Sequence, residues 1–323
     1  MPEGPEVRRH ADILDKALTG KPLVALTART KAAKAWLHEH PHVLEGRCIT
    51  RVHSKGKNLV GEIEGGYFFY SHLMMWGRWE IVTDLPLLEI DRRERARITV
   101  SDAAAVLLSA PVFELAEGDA FQSNMYLNRL GPDILPYPTK GPFDTEEFVK
   151  RLRAPEHAQR TIGAVLLNQQ VAAGIGNYLR AEILFDCKLD PWRMVDELSA
   201  DDLQCLCDSV ALMAQRAYAN GGATVPDSLR DRMRQDDTLV YAPGRDYGTQ
   251  HHAYRRTNLP CLVCATPIRQ MRQVTRQQDE TEDGEEKERI IYFCPCCQNT
   301  TIALPKIKKQ QPRTAAMEAA IEV

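Results

Sequence analysis

Apolar positions along this chain change their period three times, and each change marks a different architecture. Over residues 3–19, Val7, Ala11, Leu14 and Leu18 recur at three- and four-residue spacing, with Arg8, Arg9 and Asp15 on other faces. That pattern predicts one amphipathic helix with Gly20 as its stop. Segments 47–53, 58–64, 67–72, 77–83, 97–101 and 105–109 are instead short, rich in Val, Ile and aromatics, and punctuated by Gly, Asp or Lys-Gly. They predict successive strands of an antiparallel sandwich or barrel. Helical spacing returns near 145, over 145–154, 159–171, 176–186 and 199–219, broken at Gly174, Gly176 and Gly221-Gly222. Residues 223–250 are polar and without apolar period, which predicts a loop, and 254–304 form a cysteine-bearing module. The tail, 305–323, opens basic and ends Ala-rich, and is expected to be mobile. No internal repeat is visible.

The pattern therefore predicts an α+β multidomain chain: an N-terminal helix with an antiparallel β-sandwich, then a helical domain, then a C-terminal metal-bound β-hairpin. The boundaries fall at 1–136, 137–250 and 251–304, with the tail beyond. No apolar run approaches the roughly 20 residues of a membrane span. The opening Met1-Pro2-Glu3-Gly4-Pro5-Glu6 lacks the basic and apolar regions of a secretory signal, so a cytoplasmic, nucleoid-associated location is expected. The formal net charge of −3 looks unsuited to a polyanionic partner. Its distribution changes that reading, because residues 279–288 alone carry −6 and leave +3 on the remainder.

Five of the nine cysteines crowd near the C-terminus. Cys261-x-x-Cys264 and Cys294-x-x-Cys297 are two turns that each present two thiolates to one ion, the pattern of a closed four-cysteine zinc site, with iron the lesser alternative. Such a site is structural, with one zinc holding a hairpin of strands 267–276 and 289–293. Cys296 falls outside the register, and Cys48, Cys187, Cys205 and Cys207 read as reduced structural thiols. By itself the module suits any zinc-ribbon nucleic-acid binder.

The N-terminus is more specific. Pro2-Glu3-Gly4-Pro5-Glu6 resembles the start of the formamidopyrimidine-DNA glycosylase and endonuclease VIII family, with Gly4 as in the endonuclease VIII branch. Further matches follow in order: Lys55-Gly56-Lys57, Tyr70-Ser71-His72, the run Asn128 to Asp133, the run Gly174 to Arg180, and the cysteine pairs. The resemblance spans roughly residues 2–300. It implies a bifunctional DNA glycosylase and abasic-site lyase that removes oxidised bases through a Schiff base on the terminal amine of Pro2, exposed once Met1 is removed. Chemistry agrees, since an α-amino group with a pKa of about 8 supplies free nucleophile at neutral pH. The resemblance makes Glu3 the general acid/base, Lys57 the proton donor for β-elimination and Arg289 a partner in δ-elimination. Glu6 matches a second acidic position.

An enzyme acting on a stacked base must evert it and fill the gap. The resemblance places the void-filling residue at Met75, flanked by Met74 and Trp76, and gives Arg129 the orphaned base or nearby phosphates. Gly174-Ile175-Gly176-Asn177 matches the turn of a helix–two-turn–helix element, whose opening N–H groups and Asn177 side chain would take a phosphate. The expected partner is damaged DNA, mainly duplex, bound by a monomer with no membrane involvement. Oxidised pyrimidines are the favoured substrates. Oxidised purines (formamidopyrimidine, 8-oxoguanine) are the alternative within the class, and a non-catalytic zinc-ribbon DNA-binding protein is the alternative outside it.

Overall fold

A computed structural model describes residues 2–85, 91–137, 141–241, 248–276 and 286–304. The tail and most of the acidic run 279–288 lie outside them. The first helix, α1 (Gly4–Leu18), buries Val7, Ala11, Leu14 and Leu18, the stripe its spacing predicts. After it come β1 (Ala25–Ala28), α2 (Lys31–Glu39), β2 (Ile49–Lys55), β3 (Asn58–Ile63), β4 (Tyr67–His72), β5 (Arg78–Val82), β6 (Glu94–Thr99), β7 (Ala104–Leu108) and β8 (Val112–Glu117). The strands form two antiparallel four-stranded sheets, ordered β1-β6-β7-β5 and β2-β3-β4-β8. One core joins both sheets to α1: Phe69 and Phe113 from one sheet close on Trp79 from the other, with ring centroids about 6 Å apart.

The sequence reading lacked β1, β8 and α2. Their burial explains why: β1 alternates exposed and half-buried positions, and α2 fully buries only Ala33. Two short helices, α3 (Ala120–Ser123) and α4 (Met125–Asn128), lead out of the sheets, each capped by an Asp or Asn side chain.

Five further helices follow: α5 (Thr145–Leu152), α6 (Ile162–Val165), α7 (Asn177–Asp186), α8 (Ala200–Ala219) and α9 (Asp227–Gln235). The helix expected over 159–171 shrinks to α6. Beyond it the Asn168 side chain accepts from Gln170 N–H at 3.0 Å, while Gln169 and Ala173 exchange backbone bonds with Gly131 and Pro132, so the chain leaves the helical path. The loop expected over 223–250 contains α9. That helix fully buries one apolar residue, Met233, and so leaves no period to read. The expectation of reduced thiols fails at one pair: Cys187, capping α7, is disulfide-bonded to Cys205 on α8, with Cα atoms 5.7 Å apart. Packing of the two helices brings the thiols together, which their separation of 18 residues does not reveal. Among the described residues no helix is long and apolar enough to cross a membrane.

The last element is the antiparallel hairpin β9 (Arg269–Arg276) and β10 (Lys287–Phe293). Ile291 and Phe293 bury into the helical core, Phe293 edge-on to Trp192 at 5.0 Å. The segment ahead of the hairpin, residues 252–254, is fastened by Glu182, fully buried on α7. Its carboxylate accepts from the backbone N–H of His252, Ala253 and Tyr254 at 2.7–3.0 Å and from the Thr224 hydroxyl at 3.0 Å. Burial alone would raise this carboxyl; the His252 hydrogen bonds and nearby charge overcome that and hold it well below the usual range. Glu182→Gln replaces an anion with a group whose NH2 faces N–H donors. It is expected to cost about 3 kcal/mol in urea unfolding, and a loss below about 1 kcal/mol would contradict the role.

Candidate active site

Three backbone segments meet without side chains between them. Gly4 N–H donates to Gly174 O at 3.0 Å, tying the start of α1 to the turn before α7. Gly56, in the β2–β3 turn with φ +57°, abuts the same strip; a Cβ there would lie 2.7 Å from the Ala173 carbonyl carbon. Gly176, the N-cap of α7, lies flat against the Glu3 side chain, and a Cβ would collide with the carboxyl. Gly176→Ala is therefore expected to displace Glu3 and lower base excision at least tenfold with little change in melting temperature. Unchanged excision would show that the carboxylate does not need this seat.

Glu3 is 2% exposed. Its carboxylate accepts from the N–H groups of Gly176 (2.7 Å), Tyr178 (2.8 Å) and Leu179 (3.2 Å) at the opening of α7. This corrects the expectation that those N–H groups point at a phosphate: three of them are occupied by the protein's own acid. Asn177, half-buried, turns its side-chain oxygen to Arg180 at 3.4 Å. Burial lifts the Glu3 carboxyl to about 7, against the opposing pull of the Lys57 charge and the helix N–H donors. It can therefore hold or release a proton near neutrality.

Lys57 follows the Gly56 turn and is buried. Desolvation lowers its ammonium while Glu3 supports it, and Arg180 and Arg289 oppose it. Glu3 and Arg289 thus both lie within electrostatic reach of Lys57, with Pro2, half-buried, next to Glu3 in the chain. The turn is held from behind by Asp133, whose carboxylate accepts from Gly56 and Leu135 N–H; burial raises that carboxyl to about 6.

Glu6 lies one helical turn beyond Pro2. It accepts from Glu3 N–H at 2.9 Å, from the Tyr178 hydroxyl at 3.1 Å and from Arg9 at 3.2 Å. Arg180, fully buried, bridges α7 to the hairpin through Gln273 at 3.3 Å and Ile290 O at 2.7 Å. Arg289 is exposed on β10, paired across the hairpin with Gln273. Glu182 was not named from sequence, and Asp133, Tyr178 and Arg180 entered only as members of matching runs, without a role. A charged residue inside an apolar helical period, as at Arg180 and Glu182, is the one signal that could have found two of them.

Met74, Met75 and Trp76 form the turn after β4 and are 45%, 59% and 71% exposed. Met74 adopts φ +52°, and its N–H donates to His72 Nδ1 at 3.0 Å. Burial and the Lys57 charge lower His72 to about 4, so the ring stays neutral and keeps that acceptor. Arg129 is exposed at the C-cap of α4, next to the exposed Met125 and Tyr126.

The Sγ atoms of Cys261, Cys264, Cys294 and Cys297 lie within 4.8 Å of one another. Cys264 and Cys294 are 3.4 Å apart and Cys261 and Cys297 3.8 Å, against about 3.8 Å between thiolates on a tetrahedral zinc. The donor set fits one metal ion. Val263 and Cys297 N–H groups point at Cys261 and Cys294 sulfur, respectively.

An acid seated on the opening N–H groups of α7, a buried lysine within electrostatic reach of it and a four-cysteine hairpin are the frame of a base-excision enzyme. The chain belongs to the formamidopyrimidine-DNA glycosylase and endonuclease VIII family, DNA glycosylases with lyase activity at abasic sites. Residues 1–110 match the formamidopyrimidine-DNA glycosylase N-terminal domain, and 130–228 its H2TH domain. Endonuclease 8 of Escherichia coli is 30% identical over 300 residues, covering 93% of this chain and all of the relative. Endonuclease 8 of Salmonella schwarzengrund is 32% identical over 222 residues, 69% of this chain and 81% of the relative. The fold matches the Lactococcus lactis formamidopyrimidine glycosylase solved with abasic-site DNA, at TM-score 0.70, 22% identity and coverage of 92% and 100%.

Proposed function

We propose that the chain removes oxidised bases, pyrimidines foremost, from duplex DNA and then cuts the strand by β- and δ-elimination, as a monomer in the cytoplasm or nucleoid. The observation that carries this reading is the buried Glu3–Lys57 pair one residue from Pro2. The Pro2 nitrogen bonds to C1′ as the bond to the base breaks, and the opened sugar remains as an iminium. Glu3 supplies the proton that opening requires. Loss of a C2′ proton then expels the 3′ phosphate, with Lys57 moving protons beside it, and Arg289 serves the second elimination. Met75, with Met74 and Trp76, fills the vacated stack; Arg129 and Asn177 hold the opposite strand and the backbone. The four cysteines hold one zinc that fixes the hairpin.

Incubating the protein with an abasic-site duplex and borohydride tests the covalent step, and absence of a trapped complex would sink it. A panel of single-lesion duplexes tests the substrate class. It includes oxidised purines, because the Lactococcus lactis neighbour is solved with both N7-benzyl-Fapy-dG and oxidised-pyrimidine DNA. Glu3 and the Pro2 amine set the pH dependence together: a protonated Glu3 (about 7) and a free amine (about 8) are both required, so excision is expected to peak between about 7 and 8, with Glu3 responsible for the fall on the alkaline side. Glu3→Gln should lower excision by about 10²-fold or more and remove that arm; the same arm surviving in the variant would assign it elsewhere.

A further inference from the structure

Two large cavities flank the site. The larger, about 480 Å³, lies behind the Lys57 turn and includes Lys55 and Asp133 in its wall, but neither Glu3 nor Glu6. The other, about 240 Å³, is lined by Glu6, Tyr178, His251, Tyr254 and Arg255 with flanking glycines. Glu6 accepts the Glu3 N–H, and the backbone of Tyr178 holds the Glu3 carboxylate, so this cavity adjoins the reacting group. Of the two, it is the one whose wall touches Glu3, and so the one that would offer room to a base leaving the sugar at Pro2.

Most polar groups on this wall are already committed. The Tyr178 hydroxyl donates to Glu6, and the Tyr178 ring stacks on His251 with centroids 5.1 Å apart. His251 differs. Its Nδ1 lies 3.0 Å from the Thr224 hydroxyl oxygen, which is also 3.0 Å from a Glu182 carboxylate oxygen and 3.2 Å from Gln250 O. Thr224 has one proton and two oxygen acceptors, one of them an anion, so the proton goes to an oxygen. The hydroxyl oxygen must then accept, which makes His251 Nδ1 the N–H and leaves Nε2 with a lone pair. Burial lowers the His251 ring to about 4, so it stays neutral at physiological pH. Among the described residues Nε2 makes no hydrogen bond.

We propose that His251 determines specificity: its Nε2 accepts an N–H from the everted base. Bases whose matching ring nitrogen carries a proton, namely uracil- and thymine-derived and hydantoin lesions, are selected over cytosine-type lesions, which would set lone pair against lone pair. The buried Glu182–Thr224 relay locks the tautomer and acts as a positioning device. This rests on the glycosylase reading and narrows its substrate class.

The test measures single-turnover excision by the full chain on duplexes carrying 5-hydroxyuracil or 5-hydroxycytosine at one position, with scission of an abasic duplex as a base-free control. Wild type is expected to favour the uracil-type lesion by roughly tenfold or more, as for a pocket matched to one substrate N–H. In His251→Phe, which keeps the stacking on Tyr178, the preference should fall to about threefold or less while abasic scission stays within about twofold. Referring the variant to wild type cancels the different leaving abilities of the two bases. A wild-type preference near unity overturns the proposal, as does a preference undiminished in His251→Phe. Should that variant lose abasic scission through misfolding, N3-methylated 5-hydroxyuracil on wild type decides instead: excision no slower than the parent lesion overturns it. Failure of wild type to cut the abasic duplex is a separate result, and it removes the lyase reading itself.

Discussion

A chain that keeps one residue ahead of Pro2 is expected to lose its borohydride-trapped complex and abasic-site scission together, by a factor on the order of 10³ or more. An amide nitrogen has its lone pair delocalised and cannot bond to C1′, whereas a terminal secondary amine, with a pKa of about 8, can. The backbone donors around it among the described residues are already engaged. Glu3 N–H is bound to Glu6, Gly4 N–H is bound to Gly174 O, and Lys57 is buried in its own turn. The start of α1 is thereby pinned at Glu3 and Gly4, and the amine of an added residue sits one residue further along the chain than the Pro2 nitrogen. Pro2→Gly differs, because it offers a primary amine at the same place; slowed but measurable trapping is expected. The measurement is covalent yield on a denaturing gel, with duplex affinity as the control. Full trapping by the blocked chain, with its N-terminus verified by mass, would transfer the nucleophile to another group.

The parts of this architecture that repeat a short period were legible in the sequence. The stripe Val7, Ala11, Leu14, Leu18 read directly because burial on one face writes a pattern, and the six sheet segments because short apolar runs between turn residues mark strands, several of them buried on both faces. The four-cysteine cluster read from its spacing alone, since two turns of fixed length bring four thiols together. What stayed hidden depends on distant segments meeting. The Cys187–Cys205 disulfide, the burial of Lys57 and the glycine junction of Gly4, Gly56, Gly174 and Gly176 exist only after the sheets and helices dock. The opening of α7 is the clearest case. Locally it is a phosphate cradle, and Glu3 takes its N–H groups from 173 residues away. Helix α9 was hidden for the opposite reason, as Met233 is its one fully buried apolar side chain.

Removing the zinc is expected to lower affinity for an abasic duplex by about 10²-fold or more while leaving most of the helix and sheet signal intact. Structural zinc in small modules contributes apparent free energies of roughly 10–16 kcal/mol, so four unligated thiols cannot hold their turns against chain entropy. The damage would reach the hairpin through defined contacts. Cys294 follows β10 directly, and its N–H is held by Gln298, whose amide donates to Leu189 O at 2.8 Å. Releasing these frees the end of β10, and with it Arg289 and the Gln273–Arg180 bridge that fixes the hairpin against α7. The α1 start, the Lys57 turn and the two sheets share none of these bonds, so the acid and the nucleophile should survive. The apo protein is thus expected to retain slow trapping at high DNA concentration, with the loss appearing in affinity, and Cys264→Ser should reproduce it. Wild-type affinity in protein shown to be metal-free would mean that the buried Ile291 and Phe293, with the Arg180 bridge, hold the hairpin in place without the metal.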